Sequence, residues 1–313
     1  MLTIFTIPKP FDDRHTNIIQ CNAVRSWLAI RPRCEIILCG NDTGVAQVAN
    51  EFDVGHIPNI AHNDYGTPLL NSAFEQVQEQ AKYDLLCYVN ADIILFSDLA
   101  RTFEQLPFSR FLVVGQRWNL SVVDPVNFDD GKWEQQLRDR AFMEATKSGP
   151  IGSDYFGFRK GSIGKLPPFV VGRPAWDNWF IFHVRRLRYP VIDTTQAIMC
   201  IHQNHEYAHV PQGKGYLWEG PEADRNRSFL GMGEWFDLWD ATHIMDANYN
   251  VDRAISDPYL ARRIDRMLSY ARSNKNSTYI VKYFVGRCLR ALYSRRAYFP
   301  ERLWRNLIYY CTV

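Results

Sequence analysis

The first hundred residues alternate short β-rich runs with amphipathic stretches, and this alternation restricts the fold more than any other feature. Leu2–Ile7 is a short β-rich run stopped by Pro8 and Pro10, whose rings cannot donate to a sheet ladder. Across residues 15–30, Ile18, Ile19, Ala23, Trp27 and Ile30 recur near helical period. Residues 35–39 form a second apolar run, closed by Gly40-Asn41-Asp42. Residues 45–52 predict a helix and 54–57 a third short strand. Residues 68–82 predict a stronger helix, with Pro68 near its first turn and Leu69, Ala73, Phe74, Val77 and Ala81 on one face. Leu85–Val89 is apolar throughout, as a strand must be when both faces are covered. Strand–helix alternation of this kind predicts an α/β fold with a mostly parallel sheet, right-handed crossovers and helices on its flanks.

Further strands are expected at 111–114, 155–158, 191–193 and 197–202, with helices at 132–146 and 176–187. From Pro258 the chain changes character and reads as helical, rich in Arg and Tyr, with Pro300 dividing two segments. The expected division is therefore a domain over 1–250 and a basic helical extension over 251–313. Residues 259–313 hold ten Arg and two Lys against two acidic residues, a net of +10, so the remainder carries −8 of the whole chain's +2. An overall charge so near zero offers no general attraction to nucleic acid. The basic tail fits either of two partners: the acidic surface of its own domain, or an anionic membrane on which amphipathic helices lie. Its segments are too charged to span a bilayer.

Seven cysteines without CxxC spacing, four of them (Cys34, Cys39, Cys87, Cys200) inside strand-like runs, suit reduced packing residues better than a disulfide framework. The N-terminal residues lack a basic leader and a long apolar run. A cytoplasmic protein, peripheral at the membrane if the tail binds lipid, is the expectation.

Four segments carry candidate chemistry. In Asp84-Leu-Leu-Cys-Tyr-Val-Asn-Ala-Asp92, a buried strand delivers Asn90 and Asp92 at its carboxyl end, where open α/β sheets place their ligands. An extended backbone would set both side chains on one side, and such oxygen ligands suit Mg²⁺ or Mn²⁺ bridging a diphosphate. The same residues also fit a turn that merely ends a strand. In Val170-Val-Gly-Arg-Pro-Ala-Trp-Asp177-Asn-Trp, Asp177 opens a helix, either as its cap or as a carboxylate available for general-base work. Ile201-His-Gln-Asn-His-Glu-Tyr-Ala-His209 places three His within eight positions. His202 and His205 are the first metal-ligand candidates and His209 a weaker one, and Cys200 lacks the spaced partner that a zinc site would need. Asp154, before an aromatic run, fits an acceptor-gripping carboxylate, an alternative base to Asp177, or a structural strand residue.

These segments together resemble the GT-A class of glycosyltransferases over roughly residues 1–210. More narrowly, the GRPxWDNW and IHQNHxYxH strings resemble a bacterial and plant group of family-2-like enzymes that use nucleotide-diphospho-sugars. The resemblance implies a GT-A sheet and transfer from a UDP- or GDP-sugar to the hydroxyl of a glycan or lipid-linked acceptor, with a divalent cation, Mn²⁺ or Mg²⁺. It implies that Asn90-Ala-Asp92 stands where such enzymes carry D-x-D. Asn90 departs from that pattern, which leaves Asp92 as the surer metal ligand and gives Asn90 a role towards the ribose or a metal-bound water. It implies a further metal ligand from His202 or His205 and a base at Asp177, which would give inversion at the anomeric carbon, with a retaining mechanism left open. Finally, it implies a nucleoside cradle from Thr6, Pro8 and Lys9 after the first strand and Gly40 and Asp42 after the second. Lys9 and Arg14 carry charge suited to a phosphate.

No Walker A, GxGxxG or GxSxG pattern occurs, which argues against P-loop, classical dinucleotide and serine-hydrolase chemistry. Two alternatives remain. A sugar-1-phosphate nucleotidyltransferase would use a similar sheet, although Pro-Lys-Pro-Phe-Asp-Asp occupies the place of its Gly-rich loop. A non-catalytic glycan- or nucleotide-binding protein of the same fold would explain the Asn at position 90.

Overall fold

The computed structural model describes residues 1–205, 214–231, 234–273, 277–298 and 300–312. The predicted alternation folds as β1 (Leu2–Thr6), α1 (Arg14–Ala29), β2 (Glu35–Cys39), α2 (Val45–Glu51), β3 (Gly55–Ile57), α3 (Leu70–Gln80) and β4 (Leu85–Val89). Helix α1 starts where the Asp13 carboxylate accepts from the Thr16 amide at 2.7 Å, satisfying one of the orphan donors of the first turn. Helix α3 starts later than its apolar period suggested, because Pro68 and Leu69 make bridges to His62 and Val170 instead. The chain continues through β5 (Ile93–Leu95), α4 (Asp98–Glu104), β6 (Leu112–Val114), β7 (Trp118–Leu120), α5 (Trp133–Glu144), β8 (Thr146–Lys147) and β9 (Tyr155–Arg159). Then follow α6 (Trp176–Arg186), β10 (Val191–Asp193), β11 (Cys200–Gln203), α7 (Lys214–Glu219), α8 (Pro221–Ser228), β12 (His243–Met245) and β13 (Val251–Arg253).

Among the described residues, nine strands form the main sheet in the order β13-β12-β10-β6-β9-β4-β1-β2-β3. Strands β1, β2, β3 and β4 are mutually parallel, and β9 runs antiparallel between β4 and β6. The sheet is thus mixed and mostly parallel, flanked by helices. Alternate residues of β1 feed opposite layers, and all five are buried. Leu2 and Ile4 join Trp27 of α1 and Val48 of α2 on one side, while Phe5 joins Phe74 of α3 and Phe180 of α6 on the other. Phe74 centres this second layer, stacked on Phe158 at 5.6 Å between centroids and edge-on to Phe5 at 5.0 Å.

A second, smaller sheet has the order β5-β11-β7-β8, and of its strands only β11 was expected from the sequence, at 197–202. It packs Ile94, Leu120 and Ile201 against Leu137 and Ala141 of α5.

The tail forms α9 (Asp257–Ser273), α10 (Ser277–Ser294) and α11 (Glu301–Thr312), with a core of its own built from Leu260, Ile264, Leu268, Leu289, Trp304 and Ile308. Strand β13 closes the main sheet at Arg253, three residues past the expected division, and the helices begin at Asp257. Helix α9 is tied to the α/β body by arginines. Arg262 pairs with Asp237, Arg266 meets both oxygens of Asp240 at 2.9 and 2.8 Å, and buried Arg263 donates to the Ala254 and Ala241 carbonyls. Among the described residues, no helix is long and apolar enough to cross a membrane.

Candidate metal and nucleotide site

The strand order reverses at β1. Its crossover leads to β2 on one side, while β4 lies on the other. Open α/β sheets bind ligands in the crevice outside the carboxyl ends of the strands at such a switch point. Thr6 pairs with Leu38, and Phe5 with Tyr88, so the segments after β1, β2 and β4 emerge side by side. Thr6, Pro8 and Lys9, Gly40 and Asp42, and Asn90 and Asp92 thereby reach one sheet edge.

Beyond β4 the chain does not stay extended. The Ile93 amide donates to the Asn90 carbonyl at 3.2 Å, and the resulting turn sends Asn90 and Asp92 to different partners. This corrects the expectation that both side chains share one side. Asn90 donates from Nδ2 to Asp154 Oδ1 at 2.6 Å. Asp92 instead faces β11, because His202 pairs with Ile93 in the antiparallel β5–β11 ladder. The His202 Nε2 atom lies 3.6 Å from Asp92 Oδ2, and His205 Nε2 lies 3.0 Å from the same oxygen. One ligand atom from each of the three residues falls within 4.8 Å of the others. His209 lies outside the described residues.

The backbone under this cluster is held firmly. Gln203 donates through its amide and its side chain to the Asp92 carbonyl, and Asn22 of α1 donates to the Gln203 oxygen. Trp27 donates to the Ile93 carbonyl at 2.9 Å. Burial alone would push the Asp92 carboxyl upward, but His202, the His205 hydrogen bond and Lys9 outweigh it and hold the group below the usual carboxylate range. Burial lowers His202, although Asp92 opposes the shift, so the imidazole is readily neutral, the form that binds a metal. Burial also lowers Lys9, partly offset by the attraction of Asp92.

The residues present fit a divalent cation. Asp92 Oδ1 and His202 Nδ1 are buried without a hydrogen-bond partner among the described residues. Leaving such groups unsatisfied is costly, whereas a cation against the Asp92 carboxylate compensates it. One carboxylate and two imidazoles suit Mn²⁺ or a comparable transition metal. Cys200 stays out of the cluster, with its thiol directed at the Gln116 carbonyl.

Asp154 and Asp177 stand in contrasting surroundings. Both oxygens of Asp154 are engaged, Oδ1 by Asn90 and Oδ2 by Arg117 Nη1 at 2.5 Å. Asp177 is partly exposed at the start of α6, behind Ala175, whose φ of 88° turns the chain sharply into the helix. Burial, aided by Asp154, pushes the Asp177 carboxyl up to about 7, despite hydrogen bonds from the backbone and the pull of Arg117. Asp42 is half-buried, and its carboxyl too is raised by burial.

Sequence reasoning missed Arg117, Gln203 and Arg173. Arg117 stands in no motif, and β7, which begins next to it, is only three residues long. Gln203 sat inside the histidine string and was overshadowed by it. Arg173 binds buried Glu222 of α8, which also accepts from Asn63.

No family model matches the sequence, and no curated protein matches it. The chain is similar in structure to solved nucleotide-sugar transferases. A putative nucleotide-diphospho-sugar transferase from Desulfovibrio desulfuricans matches at 13% identity over 73% of this chain and 95% of that one, with a TM-score of 0.39. GalNAc-T7, solved with UDP, GalNAc and Mn²⁺, matches at 12% identity over 70% of this chain and 44% of its own, with a TM-score of 0.41. S. aureus TarS in complex with UDP matches at 9% identity over 38% of this chain and 36% of its own, with a TM-score of 0.29. The chain therefore spans less than half of the latter two. All three likenesses are distant, and the functional reading rests on the site itself.

Proposed function

We propose that this protein is a divalent-metal-dependent glycosyltransferase acting on a nucleotide-diphospho-sugar. The observation that carries the reading is the Asp92–His202–His205 cluster at the β1/β4 switch point, in which Asp92 Oδ1 and His202 Nδ1 are buried without a partner among the described residues, with Lys9 close by. A cation held by these three residues would supply Lewis-acid neutralisation of the diphosphate. Lys9 adds positive charge beside the leaving group. Thr6, Pro8, Gly40 and Asp42 line the edge where a nucleoside would lie, and Thr6 Oγ1 is buried without a partner among the described residues.

Asp177 is the better candidate base. Its carboxyl titrates near neutrality, where a group can both take a proton and hold it, whereas Asp154 has both oxygens committed. Asp177 would remove the acceptor hydroxyl proton as that oxygen attacks the anomeric carbon and the nucleoside diphosphate leaves, which inverts the configuration. Asp154 then serves to fix Asn90 and Arg117. The test is hydrolysis of UDP- and GDP-sugars without acceptor, with Mn²⁺ and with chelator. Metal-dependent release of nucleoside diphosphate supports the reading. Release of a sugar phosphate, or turnover unaffected by chelation, contradicts it.

A further inference from the structure

The arginines of the tail do not all serve the fold. Arg262, Arg263 and Arg266 of α9 are spent on Asp237, Asp240 and backbone carbonyls of the α/β body. Others stand outside: Arg287 and Arg290 of α10, Arg295 just after it and Arg302 of α11 are exposed, and Arg290 meets α9's own Asp265, itself exposed, whereas Arg305 of α11 pairs with Asp257. The apolar residues of the same helices are divided in the same way. Helix α10 turns Gly286 and Leu289 inward, where Gly286 lies so close to Leu268 of α9 that an added Cβ would sit 3.0 Å from it. On its opposite side, at helical spacing, stand Phe284, Cys288 and Ala291, followed by Arg295. Helix α11 buries Trp304 and Ile308, while Leu303 and Leu307, one turn apart, face away. Phe284 and Leu303 are 63% and 64% exposed, with Leu307 beside Leu303 also exposed.

We propose that the outer faces of α10 and α11 dock onto an anionic lipid surface. The argument is one of charge and shape. Arg287, Arg295 and Arg302 put positive charge on the exposed side, while the chain outside 259–313 carries −8, so the outer face is drawn to a negative surface and the acidic body is held away from it. A second copy of the same face would bring like charges together. Helices with apolar residues outward and arginines beside them lie in the boundary between headgroups and acyl chains, with guanidinium groups on phosphates and Phe and Leu just beneath. None of the described helices can span the bilayer, so the contact is peripheral and reversible. It is independent of the reaction assigned above.

The test is flotation of the full-length protein with phosphatidylcholine vesicles, with and without 30% phosphatidylglycerol, at about 0.1 M and 0.5 M salt. The native protein should float with the anionic vesicles at low salt and lose them at high salt. Phe284→Asp with Leu303→Asp should lower the bound fraction about tenfold. Arg287→Gln with Arg295→Gln and Arg302→Gln should lower it comparably. All five sites are exposed, and unchanged thermal transitions of both variants confirm intact folds. The proposal is overturned if native protein stays in solution at low salt, or if the Phe284/Leu303 variant floats as well as native. It is also overturned if light scattering shows a native dimer that those substitutions make monomeric, because the face then joins two copies.

Discussion

Replacing Asp177 by Asn separates a catalytic carboxylate from a helix cap. The native carboxyl titrates at about 7, against 3.8 for an unperturbed group. A carboxyl raised in this way favours the folded state at low pH, and that contribution is lost as pH rises from about 4 through about 7. The difference of roughly three pKa units corresponds to a destabilisation of about 4 kcal/mol above pH 7, an upper bound because the side chain is partly exposed. Asparagine has no charge to desolvate and keeps an oxygen for the Asn178 amide. The Asp177→Asn variant should therefore match the native protein near pH 4 and exceed its stability by up to about 4 kcal/mol at pH 8 in urea unfolding. Its kcat should fall about 10²- to 10⁴-fold with nucleoside diphosphate affinity unchanged, the signature of a lost base. The native rate should itself rise with pH and level off above about 7. A variant less stable than native at pH 8, or a stability difference independent of pH, would refute the reasoning and make Asp177 a cap.

Three other substitutions probe the surroundings. Asp154→Asn removes a negative neighbour that raises Asp177 and leaves Arg117, which lowers it, so the pH–rate midpoint should move below its native value; an unmoved or higher midpoint in kinetic profiles would disprove the coupling. Arg266→Ala strips both oxygens of buried Asp240 of their main partner and should cost about 3 kcal/mol by denaturant unfolding, the low end for a broken buried pair because Arg262 remains 3.3 Å away. Gly157→Ala in β9 would place a Cβ 2.2 Å from the Phe103 ring of α4, and calorimetry should show a loss of about 1–3 kcal/mol from overpacking.

What could be read from the sequence was whatever has a local cause. Continuous apolar runs such as Leu85–Val89 announce strands covered on both faces, and the period of Leu69, Ala73, Phe74 and Val77 announces a helix face. The second sheet left little such trace, because β5, β7 and β8 are two or three residues long and gain stability only from pairing with distant segments. The meeting of Asp92 with His202 is a consequence of β5–β11 register across more than a hundred residues. Residue types alone could suggest those ligands but not bring them together. Asn90 was misplaced for a related reason: its spacing from Asp92 implies a shared side only if the strand continues, and the chain turns there instead. Arg117 had no local signal, since it meets Asp154 from a position 37 residues away in the chain.

The central claim is that Asp92, His202 and His205 hold a divalent cation that binds a nucleoside diphosphate. Calorimetric titration of UDP and GDP into native protein and Asp92→Ala, each with Mn²⁺ and with EDTA, tests it most directly. The account predicts that Mn²⁺ strengthens native binding by at least about tenfold for one of the two nucleotides, and that the variant loses this enhancement while keeping its thermal transition. Equal native affinities with Mn²⁺ and EDTA, or a variant that retains the full enhancement, would contradict it.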